Sequence, residues 1–232
     1  MRASSIARGE PFLIESDLAM TKHDSLIFDL DGTLWDSTKA CAEGWTQGVR
    51  QVNPASRAFS PEDLASIMGL TFDKAVEKLM PHSKEEERQK LGALCYQKEM
   101  EQIEKMGAAL YEGVVDGIEA LSQVYPLFIV SNCLEDYLTL FYQMSGLERF
   151  FKDAECFGRT GQPKGHNIQA VMKRNQLKNP AYIGDTSGDQ RAAIFAGATY
   201  YHVNYGFGTP SQECERFASF LKLTRYFVDL SK

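Results

Sequence analysis

No apolar stretch in this 232-residue sequence approaches the roughly 20 residues that a membrane-spanning helix needs. A surplus of positive charge is missing as well. Lys and Arg number 25 against 31 Asp and Glu, a net charge of −6, and the pI lies near 5.3. That balance lacks the basic stripe of a nucleic-acid binder, so neither a nucleic acid nor a membrane is expected as partner. Cysteine is sparse. Cys41, Cys95, Cys133, Cys156 and Cys214 are odd in number, scattered, and include no C-x-x-C pair. This argues against a disulfide framework or structural zinc and fits a reducing, cytoplasmic setting. The first twenty residues lack a signal-peptide core, Phe12-Leu13-Ile14 being their one apolar run. Residues 1–20 are therefore expected to be a disordered leader, and a chain beginning at Met20 should fold.

What is present is ordinary globular material, 44% hydrophobic and 24% charged, enough for one large domain or a core with an insertion. Ser25 to Leu30 (SLIFDL) is apolar without alternation and ends on an aspartate, as a buried parallel strand would. Pro126 to Ser131, Pro180 to Gly184 and Thr199 to Val203 read the same way, with weaker strand candidates at Ala154 to Phe157 and Tyr226 to Leu230. Helical spacing lies between them: Leu134, Tyr137, Leu138 and Phe141 recur at i, i+3, i+4 and i+7. Asp116 with Glu119 predicts a capped helix from Gly117, and Ser83 with Glu86 another. Alternating strands and helices predict a parallel sheet flanked by helices. Residues 37–106 break the alternation with helical patterns alone, which predicts an all-helical insertion.

Two acidic motifs sit where strands run out. Asp29-Leu30-Asp31-Gly32-Thr33 follows the first strand. Average composition produces D-x-D-G-T by chance in roughly one in a few hundred chains of this length. In open parallel sheets ligands bind at the carboxyl ends of strands, and a glycine there lets loop amides face an anion. Gly184-Asp185-Thr186-Ser187-Gly188-Asp189 follows a later strand, and hard carboxylate oxygens suit magnesium. Ser131-Asn132 opens a helix, either as an ordinary N-cap or as a phosphate cradle. Lys164 is a lone loop lysine, but the acidic motifs lack a fixed cation. Four carboxylates close together would not all stay ionised without compensation. Magnesium and Lys164 together would supply it and leave room for a phosphate dianion.

In this order the four elements resemble the haloacid dehalogenase superfamily, and within it the phosphoglycolate-phosphatase-like hydrolases, over residues 23 to 208. The resemblance implies an α/β, Rossmann-like core of residues 21–36 and 107–232 and a helical cap of residues 37–106. It implies a phosphatase acting on a small-molecule phosphate ester with Mg2+. Asp29 would be the nucleophile and Asp31 the general acid and base, with Lys164 neutralising the transferring group. Gly32, Thr33, Ser131 and Asn132 would bind phosphate. Asp29, the backbone carbonyl of Asp31, Asp185 and Asp189 would hold the metal, for which manganese or cobalt could substitute.

Three departures and one loop bear on this. Gly165 stands where many relatives have proline, which predicts a looser loop at Lys164. Cys41 replaces the cap histidine of the mutase branch, and Asp31 favours ester hydrolysis over dehalogenase or phosphonate chemistry. A phosphomutase and a catalytically silent phosphate-binding protein stay open as alternatives. Met68-Gly69-Leu70-Thr71 reads equally as a loop over the active site or as a plain turn between helices.

Overall fold

The computed structural model describes residues 23–232; the expectation for the leader lies outside them. In chain order the elements are β1 (Ser25–Phe28), β2 (Trp35–Asp36), α1 (Thr38–Val52), α2 (Pro61–Ala65), α3 (Phe72–Leu79) and α4 (Glu85–Met106). β3 (Ala109–Leu110), α5 (Val114–Ser122), β4 (Leu127–Ser131), α6 (Glu135–Ser145), β5 (Phe151–Cys156) and α7 (Phe157–Thr160) follow. α8 (Lys164–Arg174), β6 (Pro180–Gly184), α9 (Ser187–Ala196), β7 (Thr199–Val203), β8 (Glu215–Phe217) and α10 (Phe220–Leu230) complete them.

Six strands form one parallel sheet in the order β5-β4-β1-β6-β7-β8. β1 is fully buried because both its faces are covered. Leu26 and Phe28 join the larger apolar cluster, while Ile27 joins a second cluster with Val130, Ile168 and Tyr182 across the sheet. Burial on both faces explains why these strands read as continuous apolar runs. β2 and β3 pair antiparallel, Trp35 opposite Leu110 and Asp36 opposite Ala109. This two-stranded ribbon sits where the chain leaves the sheet for α1–α4 and returns. α1 and α4 cross closely at Gly44 and Gly48. A Cβ at Gly44 would lie 2.5 Å from the Glu99 Cα, and one at Gly48 2.7 Å from the Cys95 Cα. Among the described residues, no helix is long and apolar enough to cross a membrane.

Three expectations are corrected. Tyr226 to Leu230 is the end of α10, not a strand. Ser219 caps that helix by accepting from the Lys222 N–H at 3.3 Å, and Phe220, Leu223, Thr224 and Phe227 give its buried face. α5 begins at Val114, three residues before the Asp116 pattern implied, because Gly113 in the left-handed region (φ 82°) turns the chain into it. α4 begins after Lys84 with no side-chain cap, so the Ser83–Glu86 pairing does not form; three glutamates in its first turn favour the start electrostatically.

Candidate active site

β1 is the strand at which the order of the sheet reverses, flanked by β4 and β6. Its register sets Phe28 beside Ile129 and Ile183. Neighbouring strands lie about 4.8 Å apart. Asp29 just past β1, Ser131 at the end of β4 and Asp185 just past β6 therefore share one edge. The Asp29 N–H still donates to the Ile183 carbonyl at 2.9 Å, which extends the ladder up to the carboxylate.

Beyond Asp29 the chain folds back at once. The Leu30 carbonyl accepts from the amides of Thr33 and Leu34 at 3.2 and 2.8 Å. Gly32 makes this turn at φ 78°, and a Cβ there would sit 2.2 Å from Asp185 Oδ2. Both the conformation and the lack of space demand glycine. The turn carries Asp31 against the base of the helical segment. Asp31 Oδ1 accepts from Tyr137 Oη at 2.6 Å and from the Trp35 indole at 3.0 Å. Ser37 Oγ lies 2.7 Å from Tyr137 Oη; with the tyrosine proton given to Asp31, Ser37 donates to the tyrosine. Burial pushes the Asp31 carboxyl above its ordinary range, and the Tyr137 and Trp35 hydrogen bonds pull against it.

Lys164 is buried, with Nζ 2.8 Å from Asp29 Oδ1 and 2.6 Å from Asp189 Oδ1. It is the first residue of α8 rather than part of a loop, and Gly165 does not loosen it. A Cβ at Gly165 would lie 2.7 Å from the Phe195 ring and 3.3 Å from the Ala192 carbonyl. The glycine lets α8 approach α9, which carries Asp189. Asp189 is fixed on its other side as the third residue of a capping box. Its Oδ2 accepts from the Thr186 N–H and hydroxyl at 2.9 and 2.6 Å.

The charges are unevenly compensated. Burial, then the Asp189 charge, raises the Asp29 carboxyl to about 7 despite Lys164. Burial, then Asp189 and Asp29, raises Asp185 to about 8. For Asp189 burial works upward as well, but the Lys164 charge and the Thr186 hydrogen bonds outweigh it and hold the carboxyl low. Burial opposes the charge of Lys164, and its two aspartate partners overcome that and raise its pKa. One lysine among buried carboxylates leaves net negative charge in a low-dielectric site.

A hard divalent cation fits that deficit. One oxygen each of Asp29, Asp185 and Asp189 falls within a span of 4.8 Å, and Asp185 Oδ1 is buried with no hydrogen-bond partner. Oxygen donors of this kind match magnesium. The Asp31 carboxylate is not in this group; it faces the Tyr137 side.

Asp29, Asp31, Ser131 and Asn132 line a cavity between the sheet edge and the helical segment. Gly32, Thr33, Lys164, Asp185 and Asp189 do not line it. The turn at Met68–Thr71 closes one side: Asn132 Nδ2 donates to the Gly69 carbonyl at 2.8 Å, and a Cβ at Gly69 would touch Thr186 at 3.5 Å. Of the two readings of that turn, the contact over the site holds. Residue-by-residue reading missed Tyr137, Ser37 and Glu99. At Gly206-Phe207-Gly208, which reads from sequence as a surface loop, the Phe207 N–H donates to Asp185 Oδ2 at 2.6 Å. Tyr137 carried a signal only as part of a helical stripe.

A family profile described as haloacid dehalogenase-like hydrolase matches residues 26–203. Probable phosphatase IndB of Dickeya dadantii strain 3937 is 27% identical over 197 residues, 81% of this chain and 84% of that protein. A predicted phosphoglycolate phosphatase of Haemophilus somnus superposes with a TM-score of 0.79 at 21% identity, covering 89% of this chain and 99% of that one. A hydrolase of the haloacid dehalogenase-like family from Streptococcus pneumoniae does so with a TM-score of 0.76 at 19% identity, covering 89% and 99%. At these identities the structural likeness establishes the fold.

Proposed function

The chain belongs to the haloacid dehalogenase-like hydrolase family, and from that premise we propose that it is a magnesium-dependent phosphatase of small-molecule phosphate monoesters, working through an aspartyl phosphate on Asp29. The observation that carries this reading is the pair of carboxylates facing one cavity. Asp29 stands at the reversal point of the sheet against Lys164, and Asp31 stands two residues on, held by Tyr137 and Trp35.

An oxygen of Asp29 attacks phosphorus, and the bond from phosphorus to the leaving oxygen breaks. Asp31, whose carboxyl burial keeps above its ordinary range, gives its proton to that leaving oxygen. The alcohol departs and an acyl phosphate remains on Asp29, so one difficult displacement becomes two easier ones. Asp31, now ionised, takes a proton from water as the water attacks phosphorus. Asp29 is regenerated and inorganic phosphate leaves. Tyr137, Trp35 and Ser37 orient Asp31 throughout. Lys164 neutralises charge on the transferring group, and Ser131 and Asn132 hold its oxygens; the Gly32 and Thr33 amides are taken by the Trp35 and Leu30 carbonyls and shape the turn instead. Asp29, Asp185 and the Asp31 carbonyl would hold the metal. Asp189, engaged by Lys164 and Thr186, would join through water. Bound magnesium would supply charge neutralisation at the phosphoryl oxygens. Residues 37–106 act as a cap hinged at the β2–β3 ribbon, excluding bulk water when closed.

The test is phosphate release from a panel of esters with magnesium or EDTA, for wild type and Asp29→Asn. Release that needs the metal and is lost in the variant supports the reading. Release that survives the substitution contradicts it.

A further inference from the structure

The cavity is closed on the side away from the sheet by α1, the Met68–Thr71 turn and α4. Its wall there is largely apolar, formed by Trp45, Leu64, Ile67, Met68 and Phe72, and one charged side chain interrupts it, Glu99. Glu99 is delivered by the close crossing of α1 and α4, since the missing side chain of Gly44 is what admits its backbone. The Trp45 indole N–H donates to its carboxylate and fixes the side chain. A carboxylate offers about four lone-pair sites, so acceptor capacity remains toward the cavity.

Among the described residues, no lysine, arginine or histidine lines this space; its charged lining consists of Asp29, Asp31 and Glu99. A phosphoryl group at Asp29 has Lys164 beside it, but the opposite wall offers no cation. Burial, and then the Asp31 and Asp136 charges, raise the Glu99 carboxyl to about 7 against the Trp45 hydrogen bond. The protein thus carries an acid there that its own side chains do not neutralise. The cavity is small, about 80 Å³, room for about three waters.

Resting on the phosphatase reading above, we infer that Glu99 selects the leaving group: the alcohol is small, uncharged or cationic, and presents a hydroxyl or amine donor to Glu99, while a carboxylate-bearing ester is rejected. A carboxylate beside Glu99 would bring a second acidic group into an apolar cavity with no counter-ion, and such juxtaposition is how a site excludes a wrong ligand. A hydroxyl or ammonium group would complete the acceptor that Trp45 leaves partly filled. The preference runs against phosphoglycolate, although solved structures of this fold include proteins described by that activity.

Three esters of matched size separate the outcomes: phosphoethanolamine, 2-hydroxyethyl phosphate and 2-phosphoglycolate. For the magnesium-loaded wild type, kcat/KM for the first two should exceed that for 2-phosphoglycolate by at least about tenfold, given the strength of unscreened like-charge contacts. Glu99→Gln should narrow that ratio and Glu99→Lys should invert it. Calorimetric binding of the same esters to Asp29→Asn should follow the same order without turnover. Turnover with 2-phosphoglycolate as the best ester, or a ratio that neither Glu99 variant moves, overturns the inference and leaves the phosphatase reading standing. Binding in the expected order with no turnover of any ester by wild type overturns the phosphatase reading instead.

Discussion

Asn132 Nδ2 donates to the Gly69 carbonyl at 2.8 Å, tying the loop after β4 to the turn between α2 and α3. The same turn passes close to Thr186 of the acidic loop, which a Cβ at Gly69 would touch at 3.5 Å, so the helical segment meets the sheet edge at both motifs. Asn132→Ala should lower kcat/KM by roughly tenfold, the worth of about one hydrogen bond. Its melting temperature should stay within about 4 °C of wild type, since the contact is local. Steady-state kinetics beside a thermal melt checks this, and unchanged kcat/KM would show that the contact does no work in catalysis.

Tyr137 bears on the proton chemistry. Its hydroxyl donates to Asp31 Oδ1 at 2.6 Å and so favours the ionised carboxylate. Tyr137→Phe removes that donor while keeping the ring edge-on to Trp35. The Asp31 pKa should rise, and the limb of the pH–rate profile that belongs to Asp31 should move to higher pH by about one unit. A profile measured for both proteins tests this, and a coincident pair of curves would remove Asp31 from its role.

Metal and pH are linked through Asp29 and Asp185. Their carboxyls stand at about 7 and about 8 in the fold against an ordinary 3.8. Between those values the metal-free fold binds more protons than the unfolded chain. Their contribution is therefore complete below the ordinary value and is lost as pH rises toward 8. Asp189, held low, acts below that window. Melts in EDTA should fall from pH 5 to pH 8. A magnesium concentration about 100 times the Kd at pH 8 should restore about 5–10 °C at pH 8 and, because protonation weakens binding, far less at pH 5. Equal magnesium shifts at both pH values would place the ion elsewhere.

Gly32→Ala tests the turn that brings the two acidic motifs together. The variant must hold φ 78° and a methyl 2.2 Å from Asp185 Oδ2. Strain in the left-handed region costs about 1–2 kcal/mol. Displacing Asp185 should weaken apparent magnesium affinity by roughly 10- to 100-fold. A magnesium titration of activity with a denaturant melt reads both effects.

The parts of this molecule that could be read in advance are those whose pattern is local. β6 and β7 coincide with their apolar runs because a strand buried on both faces needs no partner to be recognised. Asp29 and Asp185 stood out because each follows such a run. Other features depend on where the chain goes next. The start of α5 turns on Gly113, and Tyr226 to Leu230 resembles a strand in isolation because its helical stripe begins upstream at Phe220. Glu99 was illegible for a deeper reason. Nothing in its neighbourhood on α4 marks it, and its place in the cavity arises from two glycines half a domain away in sequence. The Gly44-x-x-x-Gly48 spacing was the one available sign of that crossing.

The aspartyl phosphate proposed on Asp29 can be trapped directly. Wild-type enzyme mixed with its best ester, quenched in acid within milliseconds and digested, should yield a hydroxylamine-sensitive phosphoryl group on the peptide bearing Asp29. It should appear and decay at rates compatible with kcat, and Asp29→Asn should show none. Full-rate phosphate release with no label on that peptide at any quench time would contradict the account and point to direct attack by water.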